Sequence, residues 1–206
     1  PPSASRPAPP GRGSSARHYD HADGFNAFFA VNPSAAVYAR PRITDPEIWA
    51  EKEYIGVNMG MFCRHEKRFD LADGPRDLAE GLHLIPDRVK HEQSLVAETS
   101  EGLVILNSCC HAGVVKILTQ LSEQFPGTPI RAVLGGFHLM GKEGVTTLGP
   151  APEKVRAIAA ALRDDLKVQD IYTGHCTGGP AYALLEEELG DRLHHLTAGA
   201  VYEFAD

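Results

Sequence analysis

The sequence predicts an α/β fold, because apolar runs of strand length alternate with amphipathic helices along its second half. Three times, a strand-like run is followed by a histidine and then by a helical segment. A chain of 206 residues, 43% of them apolar, is long enough to bury one ordinary core. We therefore expect one domain over residues 18–206, preceded by a tail over residues 1–17.

The tail contains only Pro, Ser, Ala, Gly and Arg, so it lacks the apolar periodicity that could offset the entropy cost of ordering it. We expect it to be disordered. Behind it the sequence predicts a short helix with phenylalanines at helical spacing, a strand, and a second short helix with capping-box spacing. These three elements lie at Phe25–Phe29, 35–41 and Thr44–Glu47. Residues 56–80 are rich in Gly, Asp and Arg and are assigned to loops.

The later elements follow one another with short connections. A strand over 81–86 precedes a β-hairpin, in which the apolar runs 93–99 and 103–107 are joined by a tight turn. Three amphipathic helices, two strands and a closing strand pair come next. The helices are predicted at 114–125, 152–166 and 181–189, the strands at 130–134 and 168–173, and the strand pair at 193–204.

Three histidines occupy equivalent places in this pattern. His111, His138 and His175 each follow a predicted strand and stand beside glycine or another small residue. In α/β folds the residues beyond the carboxyl ends of strands face a shared crevice, so we expect these imidazoles to converge. Each alone is also explained as a turn or core residue. The other histidines lack this setting and are interpreted as surface or packing residues: His65, His83, His91, His194 and His195.

A second group of metal-binding side chains, His18, Asp20 and His21, stands directly behind the tail. Neutral imidazole and carboxylate are usual ligands of Zn²⁺ and similar ions. We therefore predict a shared metal site that combines this group with the histidines at the strand ends.

The cysteines allow two interpretations. Cys109, Cys110 and Cys176 flank two of the strand-end histidines, either as small buried thiols that fill space or, for Cys176, as a nucleophile with a histidine base. The four cysteines show no CxxC spacing, which indicates reduced thiols in a cytoplasmic protein.

Thr177 and Gly178 form a small-residue turn at a predicted helix start. Such a start can bind a phosphate or carboxylate of a substrate. An ordinary helix N-terminus explains the turn equally well.

Charge and hydropathy exclude two classes of partner. Lys and Arg number 20 against 27 Asp and Glu, without a basic stripe, so we expect no nucleic-acid partner. No apolar run approaches the ~18 to 20 residues of a membrane span.

The segments HYDH, NSCCHAG, GGFHL and TGHCTGG occur in this order between residues 18 and 179. In that order they resemble the motifs of the metallo-β-lactamase superfamily. Their wording is closest to the branch similar to 7,8-dihydropterin-6-methyl-4-(β-D-ribofuranosyl)-aminobenzene-5'-phosphate synthase. The resemblance spans residues 18–206 and implies an αββα sandwich.

The resemblance also implies a ligand set. It makes His18 and His111 ligands of a first metal and gives a second metal the ligands Asp20, His21 and His175. His138 stands where many relatives have a bridging Asp, so the resemblance allows two roles for His138, metal ligand or substrate contact. Ala16 replaces the first histidine of the family's HxHxDH motif, and the strands that usually precede this motif are missing. We therefore expect a fold truncated at its N-terminal strands and a weakened first metal site.

The function implied is that of a hydrolase with one or two Zn²⁺ or other divalent ions. A metal-bound hydroxide would attack an ester or phosphoester of a small molecule that is pterin- or phosphate-related, and the resemblance implies that Asp20 would orient that water. The alternative is a catalytically impaired remnant or ligand-binding module that retains the scaffold. A thiol-dependent hydrolase using Cys176 is a third interpretation. An exposed sheet edge would favour a homo-oligomer.

Overall fold

Strands and helices alternate through most of the chain, which confirms the predicted α/β class. The computed structural model describes residues 12–13, 19–22, 24–40 and 59–204. The chain divides into two units, Pro1–Gly74 and Pro75–Asp206. The predicted helix at Thr44–Glu47 lies outside the described residues, and the single domain over residues 18–206 stays a prediction.

The described part of the first unit contains three short strands and three short helices. In chain order these are β1 (Arg12–Gly13), α1 (Tyr19–Ala22), α2 (Phe25–Val31), β2 (Val37–Ala39), α3 (Met59–His65), a 3₁₀ turn (Glu66–Arg68) and β3 (Phe69–Leu71). β2 pairs in parallel with β1 on one side and β3 on the other. The core of this unit contains Phe25 and Phe29 of α2 together with Val37, Met61 and Phe62.

One prediction for this unit needs correction. Residues 56–80 were expected to form loops, but they contain α3 and β3 and the first strand of the second unit. The helix escaped notice because it is short and only Met61 and Phe62 of its described side chains are buried. Of residues 1–17 the structure describes Arg12–Gly13, which form the short strand β1, and the disorder expected for this tail stays a prediction. The predicted α2 and β2 are confirmed.

The second unit is built on a seven-stranded sheet. Its strands are β4 (Arg76–Ala79), β5 (Leu82–Pro86), β6 (Gln93–Thr99), β7 (Gly102–Leu106), β8 (Ile130–Gly135), β11 (Asp170–Thr173) and β12 (Leu193–His195). The order across the sheet is β12-β11-β8-β7-β6-β5-β4. Within this sheet β7, β8, β11 and β12 run parallel to one another. The neighbours β4–β5, β5–β6 and β6–β7 pair in antiparallel fashion. The predicted hairpin of β6 and β7 is thus confirmed.

Three helices pack against this sheet. They are α4 (Val114–Gln124), α5 (Pro152–Ala160), which continues into a π-helical turn (Ala161–Asp165), and α6 (Gly179–Leu189). Their apolar faces form one core with the strands, in which Leu118, Leu162 and Leu185 are fully buried. Burial of each such side chain stabilises the fold by about 1.5–3 kcal/mol. All three helices were predicted, α4 and α5 from their apolar periodicity and α6 from Pro180 at its entry and Gly190 past its end. None of the helices that the structure describes is long and apolar enough to cross a membrane.

Two features of this unit were not predicted correctly. A hairpin of β9 (Met140–Gly141) and β10 (Gly144–Leu148) lies between β8 and α5, where the sequence suggested a direct connection. The expected strand pair at 193–204 is only partly correct, since β12 is a strand and 196–204 is not. The apolar residues there instead pack on the sheet face opposite the helices, where Tyr202 and Phe204 join the cluster around Val104 and Leu134.

Candidate functional site

Three loops meet at one edge of the seven-stranded sheet because β7, β8 and β11 are parallel neighbours and end there. We call them the first loop (107–113), the second loop (136–139) and the third loop (174–178). The Gly136 N–H donates to the Ser108 carbonyl at 2.8 Å, and the Leu139 N–H donates to the Cys176 carbonyl at 3.0 Å. Backbone hydrogen bonds therefore hold the second loop against both of its neighbours.

Glycine permits this close approach at the end of β8. A Cβ on Gly135, whose φ is +151°, would lie 1.8 Å from the Asn107 carbonyl oxygen. A Cβ on Gly136 would lie 2.5 Å from the Cys176 sulfur. The two glycines of GGFHL are thus required for the packing of the three loops.

Each loop also contains one non-glycine residue with a left-handed backbone. Cys110, His138 and His175 have φ values of 49°, 52° and 51°. This conformation costs L-residues about 1–3 kcal/mol, and such residues concentrate at functional sites. Strain in all three loops at once therefore indicates a functional region.

The structure brings the three predicted histidines of this unit to the same edge. The rings of His111 and His138 have their centroids 4.3 Å apart. A ring nitrogen of His175 lies within 4.8 Å of the Cys109 sulfur. His138 and His175 are exposed, whereas the His111 side chain is only 10% exposed. The site thus has one largely buried imidazole and two that solvent can reach.

The buried cysteines differ strongly in acidity. Hydrogen bonding to Cys109 is the largest effect on Cys176, and with the His138 hydrogen bonds and the His175 charge it outweighs burial and lowers the pKa of Cys176 to about 5. The His138 N–H donates to this sulfur at 3.3 Å. Burial raises the pKa of Cys110 well above its ordinary value. The Cys176 sulfur thus contacts both neighbouring loops, through the His138 N–H and, at 3.8 Å, the Cys109 carbonyl.

Glu92 was missed by sequence reasoning. This fully buried carboxylate accepts the backbone N–H of Cys109 at 3.2 Å and that of His111 at 2.5 Å. The Nδ1 atom of His111 lies 3.1 Å from Glu92 Oε1. Burial raises the pKa of Glu92, but its hydrogen bonds with His111 and the nearby histidine charges lower the pKa by more. The only signal was a charged residue placed directly before the apolar strand β6.

His91 was interpreted as a surface or packing residue, and its ring packs against His111 with centroids 5.4 Å apart. The first loop has a second polar support in Asn107, whose Oδ1 accepts the Cys110 N–H at 3.0 Å and whose amide donates to the Ser94 hydroxyl at 2.9 Å. Buried polar groups therefore hold the loop that bears His111: Glu92 directly before β6, Ser94 in β6 and Asn107 at the start of the loop itself.

The predicted ligands that directly follow the tail belong to the first unit. Asp20 and His21 are on α1, and His21 is half-buried. His18 and Ala16 lie outside the described residues. A metal site that joins His18, Asp20 and His21 to His111 and His175 stays a prediction.

Thr177 and Gly178 have protein partners where an anion was considered. The Thr177 hydroxyl is fully buried, accepts the Phe137 N–H at 2.9 Å and shares a hydrogen bond with the Thr173 hydroxyl at 2.6 Å. A Cβ on Gly178 would lie 3.0 Å from the Val145 carbonyl oxygen of β10. These contacts favour the ordinary helix start over an anion site.

The donor set at the strand ends fits a transition-metal ion. Imidazole nitrogens and thiolate sulfurs are the ligands that Zn²⁺ binds in proteins, whereas Mg²⁺ and Ca²⁺ prefer oxygen. His111, His138 and His175 offer nitrogen, and Cys109 offers sulfur within 4.8 Å of the His175 ring. The carboxylate in this region, Glu92, is already used by the first loop.

The order of the strands and the helices packed on the sheet match the metallo-β-lactamase fold, which is the fold that the sequence resemblance implied. The chain is similar to Tm1679, a metal-dependent hydrolase of the β-lactamase superfamily, with a TM-score of 0.72 and 22% identity over 94% of this chain and 79% of that structure. In sequence it is 27% identical to 7,8-dihydropterin-6-methyl-4-(β-D-ribofuranosyl)-aminobenzene-5'-phosphate synthase of Methanocaldococcus jannaschii, over 91% of this chain and 72% of that protein. No family model matches the sequence.

Proposed function

We propose that this chain is a metal-dependent hydrolase that uses Zn²⁺ to cleave an ester or phosphoester. The observation that carries the proposal is the gathering of His111 and His138, with ring centroids 4.3 Å apart, beside the loop that bears His175. The nitrogen and sulfur donors of this edge support zinc rather than a hard cation. The metal-dependent activity of the structurally similar hydrolase supports the reaction class.

The chain's own residues would hold and orient the reactants. A bound Zn²⁺ supplies Lewis acidity and activates water for attack on an electrophilic centre. His111, His138 and His175 would hold the ion, and the hydrogen bonds among the three loops would keep their positions fixed. The exposure of His138 and His175 leaves one side of the site open to a small-molecule substrate. We infer a phosphate-bearing or pterin-related substrate from the similarity to the methanogen synthase.

A second candidate is a synthase reaction at the same site, which the 27% identity to the methanogen synthase favours. In that case the electrophilic group would pass to an acceptor other than water. Product analysis separates the two: hydrolysis incorporates oxygen from labelled water into the product, and transfer does not.

The experiment for the metal is a titration of the metal-free protein with Zn²⁺, followed by assays on phosphoesters and lactones. We expect at least one ion to bind per chain and activity to disappear with a chelator and return with metal. His111→Ala and His175→Ala should lose both, whereas His194→Ala, a change of an imidazole that stacks on Tyr172, should lose neither. Full activity in strong chelator would overturn the proposal.

The non-catalytic interpretation depends on Ala16. If the chain is an impaired remnant, the wild type should bind metal without turnover, and Ala16→His should raise activity. A wild type that turns over substrate at the rate of that variant would exclude the remnant.

The proposal includes two further properties, a reducing compartment and an association between copies. All four cysteines are free thiols, which supports a reducing compartment such as the cytoplasm. Strand β4 ends the seven-stranded sheet on one side, and we propose this edge as the place where two copies associate.

A further inference from the structure

We propose that a cavity at the opposite end of the seven-stranded sheet from the histidines binds a phosphate group. The cavity has a volume of about 510 Å³ and is lined by Arg163, Asp164, Lys167, Gln169 and Arg192. This volume lies within the ~300–1,000 Å³ that is usual for small-molecule pockets. The inference does not depend on the proposed metal site.

The position of the cavity separates it from the strand-end loops. Gln169 and Arg192 stand directly before β11 and β12, whereas His175 follows the other end of β11. β11 has four residues, so about 13 Å of strand lies between the cavity and the third loop. A molecule in this cavity is therefore a second ligand, separate from a substrate at the histidines.

The lining of the cavity carries an excess of positive charge. It contains three cations and one carboxylate, whereas the whole chain has a formal net charge of -7. Arg163 and Asp164 balance each other, since Nε and Nη2 of the arginine donate to the two carboxylate oxygens at 2.8 Å each. No salt bridge joins Lys167 or Arg192 to another residue in the part of the chain that the structure describes. These two cations supply the surplus charge, and a cavity with such a surplus attracts anions.

Arg192 lies within electrostatic reach of the balanced pair. The hydrogen bond from Arg163 is the largest cause of a lowered pKa at Asp164, and the charges of Arg163 and Arg192 lower this pKa further. The three side chains thus form one connected charged group, to which Lys167 adds a further cation.

Backbone carbonyls hold the two arginines in place. Arg163 Nη1 donates to the Glu188 carbonyl at 2.7 Å, and Arg192 Nη1 donates to the Val168 carbonyl at 3.3 Å. A guanidinium has five N–H donors, so both arginines keep donors for a ligand. Arginine commonly binds phosphate oxygens with two parallel N–H groups. The cavity therefore offers phosphate donors whose positions are fixed before the ligand arrives.

Lys167 stands where glycine would be more stable. Its backbone is left-handed, with a φ of 52°, and it follows the π-helical turn, where the Val168 N–H donates to the Leu162 carbonyl at 2.9 Å. Helices that end in this conformation usually have glycine there, because a Cβ makes it unfavourable. The helix dipole favours a lysine at this end and offsets part of the cost. An anion in the cavity gives the lysine ammonium a partner that the described residues do not provide.

The lining also indicates what kind of molecule carries the phosphate. All five lining residues are polar or charged, whereas pockets for aromatic or apolar ligands are lined mainly by apolar side chains. The Gln169 amide can donate to and accept from hydroxyl groups. The ligand is therefore free phosphate or the phosphate ester of a hydrophilic small molecule.

Calorimetric titration of the full chain with inorganic phosphate tests the site. A neutral chelator such as 1,10-phenanthroline keeps metal away from the strand-end histidines without competing for the cations. Because a hydrogen bond to a charged group is worth about 1.5–3 kcal/mol, we expect Lys167→Met and Arg192→Gln each to weaken phosphate binding by about 10-fold or more. Lys154→Gln is the matched control, since this exposed lysine lies at the other end of α5, and its affinity should equal that of the wild type.

Two results of this titration would overturn the inference. One is equal phosphate affinity in the wild type, Lys167→Met and Arg192→Gln. The other is an equal heat from chloride at the same ionic strength, which would show screening of surface charge and no site.

Lys167→Gly guards against a loss of binding that comes only from misfolding. Glycine removes the ammonium and also the backbone cost, so we expect a higher thermal unfolding midpoint without phosphate together with weaker phosphate binding. Lys167→Arg keeps the charge and should bind phosphate nearly as the wild type does. A Lys167→Gly variant with wild-type phosphate affinity would contradict the role given to this lysine.

Glycerol 2-phosphate, titrated under the same conditions, distinguishes the two sources of the phosphate group. Tighter binding than inorganic phosphate supports a phosphorylated small molecule as the ligand, and weaker binding supports free phosphate. Binding of both probes that is lost in His175→Ala and kept in Lys167→Met would place the anion at the strand-end histidines and overturn the inference.

Discussion

His111 and His138 lie with ring centroids 4.3 Å apart, although they follow different strands of the sheet. Two imidazoles at this distance can share one cation, so loss of either ring should weaken metal binding. We expect His111→Ala and His138→Ala each to reduce Zn²⁺ affinity by more than about 100-fold, the upper end of the effect of losing an outer-shell partner. Competition with a chromophoric chelator measures this.

His194→Ala serves as the control for both variants, because its ring stacks on Tyr172 with centroids 4.7 Å apart and belongs to another part of the sheet. Its Zn²⁺ affinity should equal that of the wild type. A His138→Ala variant that keeps its metal but loses activity would show a substrate contact at this position and contradict the expectation of a ligand.

Gly135, at the end of β8, allows a test of how the strand-end loops pack against one another. Its φ of +151° and the 1.8 Å approach of an added Cβ to the Asn107 carbonyl predict strain and a backbone clash. We expect Gly135→Ala to lower the free energy of unfolding by more than about 3 kcal/mol, the range of severe point mutations. Urea unfolding measures the change.

Gly127 separates the two causes. Its φ is +83°, but an added Cβ would meet no atom within 4 Å, so Gly127→Ala has the conformational cost without the clash. This control should lose only about 1–2 kcal/mol. Equal losses in the two variants would mean that the contact between β8 and the first loop does not depend on glycine.

The sequence was informative where one residue type repeats in one setting. Histidines after β7, β8 and β11 could be assigned to one edge because parallel neighbouring strands end together. Apolar periodicity located α4 and α5, and the flanking Pro180 and Gly190 located α6. Glu92 could not be found in this way, since a buried carboxylate has no periodicity and its partners are backbone N–H groups of the distant first loop.

The errors have a similar physical origin. The β9–β10 hairpin pairs through backbone hydrogen bonds and has few buried side chains, so its sequence resembles a loop. The residues Leu196, Tyr202 and Phe204 looked like a strand because they are apolar, but they cover the second face of the sheet without joining it. Apolar content showed that these residues would be buried and did not show how.

His83 should make the stability of the protein depend on pH. Its ring lies between Asp77 and Glu98, at 2.6 Å and 2.8 Å. Burial lowers the pKa of His83, but its hydrogen bonds and ion pairs with these two carboxylates raise it above the ordinary 6.5 overall. The stabilisation is therefore complete below pH 6.5 and is lost as the pH rises through the raised pKa.

Comparison with His83→Gln isolates this contribution. We expect the difference in the free energy of unfolding between wild type and variant to be largest below pH 6.5 and to shrink at higher pH. Urea unfolding across this range measures it, and the histidine titration by NMR should give a pKa above 6.5. A difference that stays constant with pH would show that the two ion pairs add nothing in solution.

The cysteines should differ in reactivity according to burial and not according to acidity. The pKa of Cys176 is about 5, so its thiolate dominates at neutral pH, but only 2% of the residue is exposed. Cys63 is exposed. We expect iodoacetamide to modify Cys63 in the native protein and to reach Cys176 only after unfolding, as mass spectrometry of the labelled peptides would show. If Cys176 were labelled as fast as Cys63, the result would support the interpretation of this protein as a thiol-dependent hydrolase.

Thr177 distinguishes a structural hydroxyl from an anion site at the start of α6. Its hydroxyl accepts the Phe137 N–H at 2.9 Å and contacts the Thr173 hydroxyl at 2.6 Å, and both threonines are fully buried. Thr177→Val keeps the shape but leaves a buried N–H without its acceptor, which should lower stability by about 1–3 kcal/mol. Thr177→Ser keeps the hydroxyl and should lose much less.

Inorganic phosphate decides between the two roles of this turn. If the hydroxyl only holds the second loop to α6, phosphate should shift the thermal unfolding midpoints of the wild type, Thr177→Val and Thr177→Ser equally, because no bound anion depends on residue 177. A stabilisation by phosphate that is present with Thr or Ser and absent with Val would instead assign this helix start to anion binding. Because Val and Thr have almost the same volume, such a difference could not come from packing.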